Sequence, residues 1–159
     1  MNRPDSKKIS RPILDIQGLK KYFPVTAGVF LRRIGNVHAV DDVSFSVFKG
    51  ETLGVVGESG CGKTTLGRCI MGLYPLTQGR ILLDGKPMSA MTRKMRKTFS
   101  TRAQMIFQDP IESLNPRQTV RQILEEKFRI HGVSQQKTTT QIESMLDQVG
   151  LDPGDLTKY

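Results

Sequence analysis

Runs of apolar residues predict strands over the first two thirds of the chain. Val43–Phe48 alternates apolar residues with serine at every second position, which indicates a half-buried antiparallel strand. Thr52–Gly57 is almost continuously apolar, as is typical of a strand covered on both faces. Pro24–His38 carries two glycines and two adjacent arginines and is predicted to be a loop. The other predicted strands are Ile13–Leu19, Gly79–Met88 with an Asp84-Gly85 turn, and Ala103–Gln108.

Apolar residues at helical spacing predict three amphipathic helices. The first occupies Thr65–Leu73, and Gly72 and Pro75 are expected to terminate it. Two more follow Gln108, the second with Gly150 as its C-cap. Strands therefore dominate before Gln108 and helices after it, which indicates an α/β fold class. The predicted apolar faces are Leu66, Cys69, Ile70 and Leu73; Val120, Ile123, Leu124 and Phe128; and Ile142, Met145, Leu146 and Val149.

Composition adds one observation that bears on function, the positive net charge. The chain has 159 residues, 37% of them hydrophobic and 25% charged, and no apolar run approaches the roughly 20 residues that span a bilayer. Its net charge of +9 raises nucleic acid or an anionic membrane surface as partners. No aromatic residues alternate with the densest basic cluster as a base-stacking surface requires, so an ordinary solvated face is the alternative. That cluster consists of Arg93, Lys94, Arg96, Lys97 and Arg102.

A glycine-rich segment, GESGCGKTT, joins the apolar strand Thr52–Gly57 to the first helix. It matches the P-loop pattern Gly-x-x-x-x-Gly-Lys-Thr, in which backbone N–H groups surround a di- or triphosphate. Glycine permits the close backbone approach, and the helix N-terminus adds the positive end of its dipole. Lys63 is expected to reach the β- and γ-phosphates, the Thr64 hydroxyl to ligate Mg²⁺ and Thr65 to bond the α-phosphate. The residues predicted to hold the nucleotide here are Gly57, Glu58, Ser59, Gly60, Cys61, Gly62, Lys63, Thr64 and Thr65.

The P-loop by itself leaves the class of protein open. The plainest alternative is a glycine-rich turn that caps a helix and leaves Lys63 in solvent. A GTPase would need the guanine-reading sequence Asn-Lys-x-Asp, which this chain does not contain. A small-molecule kinase, with arginines in a lid over the phosphates, is compatible with the P-loop.

A second motif narrows the class of protein that the P-loop leaves open. The string IFQDP, Ile106–Pro110, ends the last predicted strand and is followed by SLNPR, Ser113–Arg117. Together with GESGCGKT, these strings resemble the nucleotide-binding subunits of ABC transporters, and among them those of the di- and oligopeptide importers. The opening LKKYFPV and the segment VDDVSFSV are similar to the same group. The resemblance runs from about Ile13 to Tyr159.

The resemblance implies roles for two residues beyond the P-loop. Gln108 matches the Q-loop glutamine, which contacts Mg²⁺ and the attacking water, and an amide suits this role because it both donates and accepts hydrogen bonds. Tyr22 stands where the family has an aromatic ring that stacks on adenine, although Phe23 is an adjacent rival and a packing role is the alternative. On this resemblance Lys63 and Gln108 are the catalytic residues, and Thr64 and Gln108 hold the metal.

The cysteines and histidines are expected to have no catalytic role. Cys61 lies inside the P-loop, where its backbone N–H matters more than its thiol, and Cys69 on the helical face is predicted to lie in the core. Their spacing is not that of a metal finger. His38 and His131 match no catalytic position of the family and are predicted to be loop or helix-end residues.

The resemblance implies an α/β P-loop NTPase fold of the ABC type, of which this chain contains a part. The expected organisation is a flexible arm at 1–12, a partial P-loop core with an antiparallel β-subdomain at 13–108, and the start of a helical subdomain at 109–159. The sequence contains no LSGGQ-type signature, no apolar strand ending in aspartate and a catalytic glutamate, and no switch histidine. We therefore expect the isolated chain to bind nucleotide without organising an in-line attack, and to fold marginally because the P-loop strand lacks a neighbour.

The resemblance also implies a function in membrane transport. The leading hypothesis is an ATP-binding subunit of a peptide importer, peripheral on the cytoplasmic face of the plasma membrane, which binds ATP and Mg²⁺. Its partners would be transmembrane permease subunits, a second ATP-binding subunit in a head-to-tail dimer and, indirectly, an extracytoplasmic solute-binding protein. The alternatives are a catalytically disabled nucleotide-binding fragment and a soluble ABC-type ATPase that acts on nucleic acid, which the SLNPR string argues against. Nickel or another small solute is the alternative cargo to peptides.

Overall fold

The computed structural model describes residues 11–29 and 32–158 of the chain. These residues form two compact units, the first ending at Met105 and the second beginning at Ile106. Residues 1–10 of the predicted arm lie outside the described part. None of the described helices has the length and hydropathy that a membrane span requires.

The first unit contains a four-stranded sheet in which all neighbouring strands run antiparallel. The strands β1 (Leu14–Ala27), β2 (Arg32–Val47), β3 (Gln78–Leu83) and β4 (Lys86–Pro87) lie in the order β2-β1-β3-β4. The predicted Asp84-Gly85 turn joins β3 to β4. Both of its residues have positive φ, 47° and 70°, as a two-residue hairpin turn requires.

The prediction of a loop at Pro24–His38 is wrong. β1 and β2 continue through most of this segment as a hairpin, in which Pro24 is paired with Asn36 and Ala27 with Arg32. Antiparallel pairing needs backbone hydrogen bonds and not buried side chains, so the glycines and arginines of the segment do not prevent it. The side chains described there are exposed, and the segment therefore lacks the apolar alternation of a half-buried strand.

Helix α1 (Lys63–Ile70) packs on the sheet and completes the core of the first unit. Leu66 and Cys69 are buried, as the helical spacing predicts. The helix ends earlier than predicted, since Gly72 has a φ of 72° that departs from the helical path, and Leu73 is exposed. The buried core of this unit consists of Ile16, Leu19, Val40, Leu66, Cys69 and Ile81.

The prediction of strands at Thr52–Gly57 and Ala103–Gln108 is wrong. Neither segment pairs with a strand in the part of the chain that the structure describes, and Val56 is 95% exposed. A strand forms only when a neighbour receives its backbone hydrogen bonds, and the described residues supply no parallel partner for these segments. The apolar run before the P-loop is therefore an exposed segment, and the sheet that forms is antiparallel.

Helix α2 (Arg93–Arg102) has no counterpart among the predicted elements, although it carries the densest basic cluster of the chain. Thr92 caps it by accepting a hydrogen bond from the Met95 amide. Met91, Met95 and Phe99 are half-buried at positions i, i+4 and i+8. This helical spacing is the signal that could have predicted α2.

The second unit is helical, as the periodicity after Gln108 predicts. Its two helices are α3 (Val120–His131) and α4 (Gln135–Val149). Gly150 ends α4 with a φ of 71°, which confirms the predicted C-cap, whereas Val149 is exposed and lies outside the core. The buried core of this unit consists of Phe128, Ile142, Leu146 and Leu156. Short 3-10 segments occur in this unit at Ile111–Ser113 and Pro153–Thr157, and in the first unit at Met88–Ala90.

Candidate functional site

The P-loop segment leads directly into the N-terminus of α1. Gly62 is the N-cap residue, with a φ of 98°, and no side chain caps the helix there. The first N–H groups of a helix have no carbonyl partner within it, so those of Lys63, Thr64 and Thr65 are directed towards the loop. This end of α1 therefore offers backbone donors and the positive end of a helix dipole to an anion.

One P-loop position sterically requires glycine. A Cβ on Gly62 would lie 2.0 Å from the backbone carbonyl oxygen of Ala39 in β2, whereas a Cβ on Gly57 would meet only the Cys61 sulfur, at 2.6 Å, which can turn away. Gly60 has a φ of 82°, a conformation that other residues rarely adopt. The loop lies closely against β2 because Gly62 has no side chain.

The Lys63 side chain lies inside the loop. Its ammonium donates hydrogen bonds to the carbonyl oxygens of Gly57 at 2.6 Å and Glu58 at 2.7 Å, and it approaches the Cys61 sulfur at 3.5 Å. These contacts contradict the alternative in which Lys63 extends into solvent. They hold a full positive charge next to the N-terminus of α1.

A cleft of about 540 Å³ lies beside the P-loop, a volume within the range of small-molecule sites. The sheet side of the cleft is formed by β2, and a further side is formed by the exposed segment Leu53–Val56. The P-loop contributes Cys61, Gly62 and Lys63. The residues that β2 contributes are His38, Ala39, Val40, Asp41, Val43 and Phe45.

Tyr22 lies on β1 directly opposite His38 on β2. The two rings are stacked, with centroids 3.9 Å apart and planes 12° from parallel. The Tyr22 hydroxyl donates a hydrogen bond to Asp41 at 2.5 Å, and this bond raises the pKa of Tyr22 and lowers the pKa of Asp41. Lys20 pairs with the same carboxylate at 3.3 Å, and hydrogen bonding to Asp41 raises the pKa of Lys20. At neutral pH the cluster therefore holds a neutral phenol, a carboxylate and an ammonium.

Phe23, the rival of Tyr22, lies in a different environment. Its ring packs edge-to-face on Tyr74, with centroids 5.4 Å apart and planes 83° apart. The ammonium of Lys21, a buried residue, lies 4.7 Å from the centroid of Phe23. Phe23 is therefore engaged in packing, whereas Tyr22 belongs to the stacked pair whose other member lines the cleft.

Comparison with known proteins identifies the family. Residues 40–158 match the family described as ABC transporter. The chain belongs to the ABC transporter family. The matched residues include the P-loop, α1 and both helices of the second unit.

The curated relatives of this ABC transporter chain are longer than the chain itself. The oligopeptide transport ATP-binding protein AppF of Bacillus subtilis is 48% identical, over 92% of this chain and 45% of the relative. OppF, named in the same way and from the same organism, is 42% identical, over 95% of this chain and 48% of the relative. The glutathione import ATP-binding protein GsiA of Salmonella typhimurium is 40% identical, over 93% of this chain and 24% of the relative. The chain thus spans about half the length of the oligopeptide relatives it matches.

Solved structures of similar fold are also ABC cassettes. The structure of cbiO1 from Clostridium perfringens, part of the ABC transporter complex cbiONQ, has a TM-score of 0.66 at 22% identity and covers 94% of this chain and 54% of its own. A dimeric bacterial ABC transporter cassette has a TM-score of 0.68 at 18% identity and covers 91% of this chain and 60% of its own. These likenesses confirm the predicted α/β fold class of the ABC type.

Gln108 of this ABC transporter chain lies in the second unit. It is exposed, in an irregular segment ahead of the 3-10 turn Ile111–Ser113. The other predicted site residues belong to the first unit, where the P-loop gathers around Lys63 and Tyr22 stacks on His38. The role of Gln108 at the metal and the attacking water stays a prediction.

His38 and Asp41 line the cleft of this ABC transporter chain but are not among the site residues that the sequence predicts. The loop or helix-end position predicted for His38 is wrong, because it lies within β2 and lines the cleft. The pairing of β1 with β2 shifts register at several points, so counting along the sequence does not place His38 opposite Tyr22. His131 does end α3, and Cys69 is buried, as predicted.

Proposed function

We propose that this chain is the nucleotide-binding part of an ATP-binding subunit in an ABC importer of peptides. The observation that carries the proposal is the Lys63 ammonium, held inside a P-loop at the uncapped N-terminus of α1. The names of AppF and OppF, both oligopeptide transport ATP-binding proteins, support this class of cargo. They favour peptides over nickel or another small solute.

The P-loop residues bind the phosphates of ATP by charge and by backbone hydrogen bonds. The amides of Lys63, Thr64 and Thr65 donate to phosphate oxygens, and the Lys63 ammonium adds a full positive charge. The two carbonyl contacts of that ammonium already keep the side chain inside the loop. Lys63 therefore loses little conformational freedom when a phosphate binds, which favours affinity.

Thr64 and Gln108 are the residues proposed to hold Mg²⁺. Both offer neutral oxygen atoms, which suit this ion when phosphates supply the charged ligands. The Thr64 side chain is exposed in the first turn of α1, next to Lys63, and so fits that task. Mg²⁺, when bound, neutralises charge on the phosphates.

The complete importer contains further subunits in this proposal. Transmembrane permease subunits carry the peptide, and a second ATP-binding subunit forms a head-to-tail dimer with the first. Both ATP-binding subunits are peripheral, on the cytoplasmic face of the plasma membrane, and an extracytoplasmic solute-binding protein acts on them only indirectly. Membership of the ABC transporter family and the names of the relatives support these roles.

Nucleotide binding is the first test of the proposal. ATP should displace a fluorescent ATP analogue from the purified chain, and Lys63→Ala should weaken ATP binding by about ten- to a hundredfold, because a hydrogen bond to a charged group contributes about 1.5–3 kcal/mol. Lys49→Ala, which removes an exposed lysine outside the P-loop, is the matched control and should bind ATP like the wild type. Equal affinities of Lys63→Ala and the wild type would contradict the proposed site.

Phosphate release by the same proteins addresses the alternative of a catalytically disabled fragment. The sequence contains no catalytic glutamate after an apolar strand, so we expect release no faster than that of Lys63→Ala. That result would mean that the chain binds ATP without hydrolysing it by itself. Faster release by the wild type would assign hydrolysis to this chain.

The nucleic-acid alternative has one observation in its favour, the basic face of α2. Arg102 pairs with Asp84 at 2.7 Å, but four other exposed cations of the helix have no acidic side chain within ion-pair distance in the described part. Phe99 is half-buried, so this face presents no exposed ring for base stacking. Binding of DNA or RNA that weakens steeply with salt would support the alternative. The four cations are Arg93, Lys94, Arg96 and Lys97.

A further inference from the structure

The segment between Asp84 and Asp109 carries positive charge that no acidic residue of its own balances. It contains six lysines and arginines and no aspartate or glutamate. Four of the six are exposed on α2, and no acidic side chain of the described part lies within ion-pair distance of them. These four, here named the α2 cations, are Arg93, Lys94, Arg96 and Lys97.

The opposite side of α2 is held against the first unit. Met95 and Phe99 are half-buried, and with Leu83 of β3 they line a narrow cleft of about 330 Å³. Arg102, at the end of the helix, pairs with Asp84 at 2.7 Å. With about 100° between successive helical residues, the α2 cations fall within an arc of about 160° on the other side. The four cations therefore face away from the sheet as one set.

This arrangement of charge disfavours α2 as an isolated helix. Arg93 and Lys94 stand in its first turn, which has no acidic residue, and so lie at the positive end of the helix dipole. Lys97 is four residues from Arg93 and three from Lys94, so like charges are neighbours on the helix surface. A solvated face that stabilised the helix would have acidic residues in the first turn and mixed signs along it. Contact with an anionic surface removes both unfavourable interactions.

An anionic lipid surface suits the α2 cations better than nucleic acid does. Phe99, the one aromatic residue of α2, is half-buried and offers no ring for base stacking. A helix that reads a DNA duplex enters the major groove, whereas α2 is held beside β3 and β4. Lipid headgroups move laterally and can each meet one cation of a convex face. A cluster of about four to eight lysines and arginines on an amphipathic helix is typical of segments that bind anionic lipids.

We propose that the α2 cations dock this chain on the anionic headgroups of a membrane. The inference goes beyond the proposed function, in which permease subunits bring the chain to the membrane, because it requires neither ATP nor a permease. Met95 and Phe99 are already half-buried in the first unit, so α2 lies on the headgroups and inserts no apolar side chain. Docking is therefore electrostatic and weakens as the salt concentration rises.

Flotation of the purified chain with lipid vesicles tests the proposal. Vesicles of equal parts phosphatidylglycerol and phosphatidylcholine should carry the chain upwards in a density gradient, and vesicles of phosphatidylcholine alone should carry far less. Arg93→Gln combined with Lys97→Gln should weaken binding about twenty-five-fold, since each cation near an anionic membrane contributes about fivefold. The matched control, Lys49→Gln with Lys137→Gln, removes the same charge from exposed lysines outside α2 and should bind like the wild type.

Three outcomes would overturn the inference. Equal binding to vesicles with and without phosphatidylglycerol would assign the contact to exposed apolar residues such as Val56. Equal losses in the two double variants would assign it to the net charge of the whole chain. Tighter binding to a DNA duplex of random sequence than to the anionic vesicles, lost in the α2 double variant, would assign the α2 cations to nucleic acid.

A folding control accompanies the flotation. The α2 double variant should melt at or above the temperature of the wild type, because it removes a like-charge pair and a cation from the first turn. If this variant does not fold, Lys97→Gln alone replaces it and should bind anionic vesicles about fivefold more weakly. A folded Lys97→Gln chain with wild-type affinity for these vesicles would also contradict the inference.

Discussion

At the scale of single residues, the P-loop depends on the absence of a side chain as much as on the presence of one. Gly62 allows the start of α1 to lie against the Ala39 carbonyl of β2, and the next residue, Lys63, places its ammonium inside the loop. A larger residue at position 62 would separate the loop from β2. The N–H groups proposed to bind phosphate would then no longer be held in a fixed position relative to β2, which forms one wall of the cleft.

Gly62→Ala should destabilise the chain by about 2 kcal/mol or more. A left-handed conformation costs a non-glycine residue about 1–2 kcal/mol, and the new Cβ would also overlap the Ala39 oxygen at 2.0 Å. Gly60→Ala is the control, because its φ is also positive but its Cβ would have no described atom within 4 Å. Urea unfolding should show the larger loss for Gly62→Ala, and equal losses would show that the loop can move away from β2.

At the scale of elements, the two helices of the second unit begin in different ways, although each starts after a hydroxyl residue. Thr119 accepts a hydrogen bond from the Gln122 amide, and the Gln122 side chain bonds back to the Thr119 amide, so α3 has a full capping box. Ser134, at the start of α4, makes no side-chain cap. The capping contribution to helix stability should therefore come from Thr119.

Thr119→Ala should lower the free energy of unfolding of the second unit by about 1 kcal/mol, the usual contribution of an N-cap. Ser134→Ala should change it little, because no cap hydrogen bond is lost at that position. Thermal unfolding followed by circular dichroism, with amide exchange to locate the loss in α3, measures both. Similar losses in the two variants would contradict the difference in capping.

At the scale of the whole molecule, apolar side chains next to the cleft are exposed. Leu53 is 42%, Val55 49% and Val56 95% exposed, and the segment that contains them pairs with no strand of the described part. Adjacent exposed apolar residues favour contact with other apolar surfaces. This supports the expectation that the isolated chain folds marginally and associates.

The isolated chain should therefore bind the dye ANS in native buffer and show association by light scattering. Val56→Thr should reduce the association, since threonine has a similar shape but is more polar. It should not lower the unfolding midpoint, because Val56 makes little contact in the folded chain. A monodisperse monomer that binds no ANS and melts in one cooperative transition would count against this expectation.

The sequence by itself determined the P-loop, helices α1, α3 and α4, and the family. The backbone hydrogen bonds of a helix connect residues four apart. The spacing of Leu66 and Cys69 was therefore sufficient to predict that both side chains are buried, and Gly150 was sufficient to predict where α4 ends. The glycines and Lys63 of the P-loop are likewise neighbours in sequence. Local rules therefore predicted this part of the site.

The predicted strands Ile13–Leu19, Val43–Phe48 and Gly79–Met88 form, but only the tertiary structure decided the other strand segments and the surroundings of Tyr22. A strand depends on a partner that is distant in sequence, so the polar hairpin at Pro24–His38 forms because its two arms pair, and the apolar Thr52–Gly57 stays unpaired because no described strand lies beside it. Register shifts between β1 and β2 then bring His38 onto Tyr22. Non-local pairing, which no spacing along the sequence encodes, thus produced the stacked pair beside the P-loop.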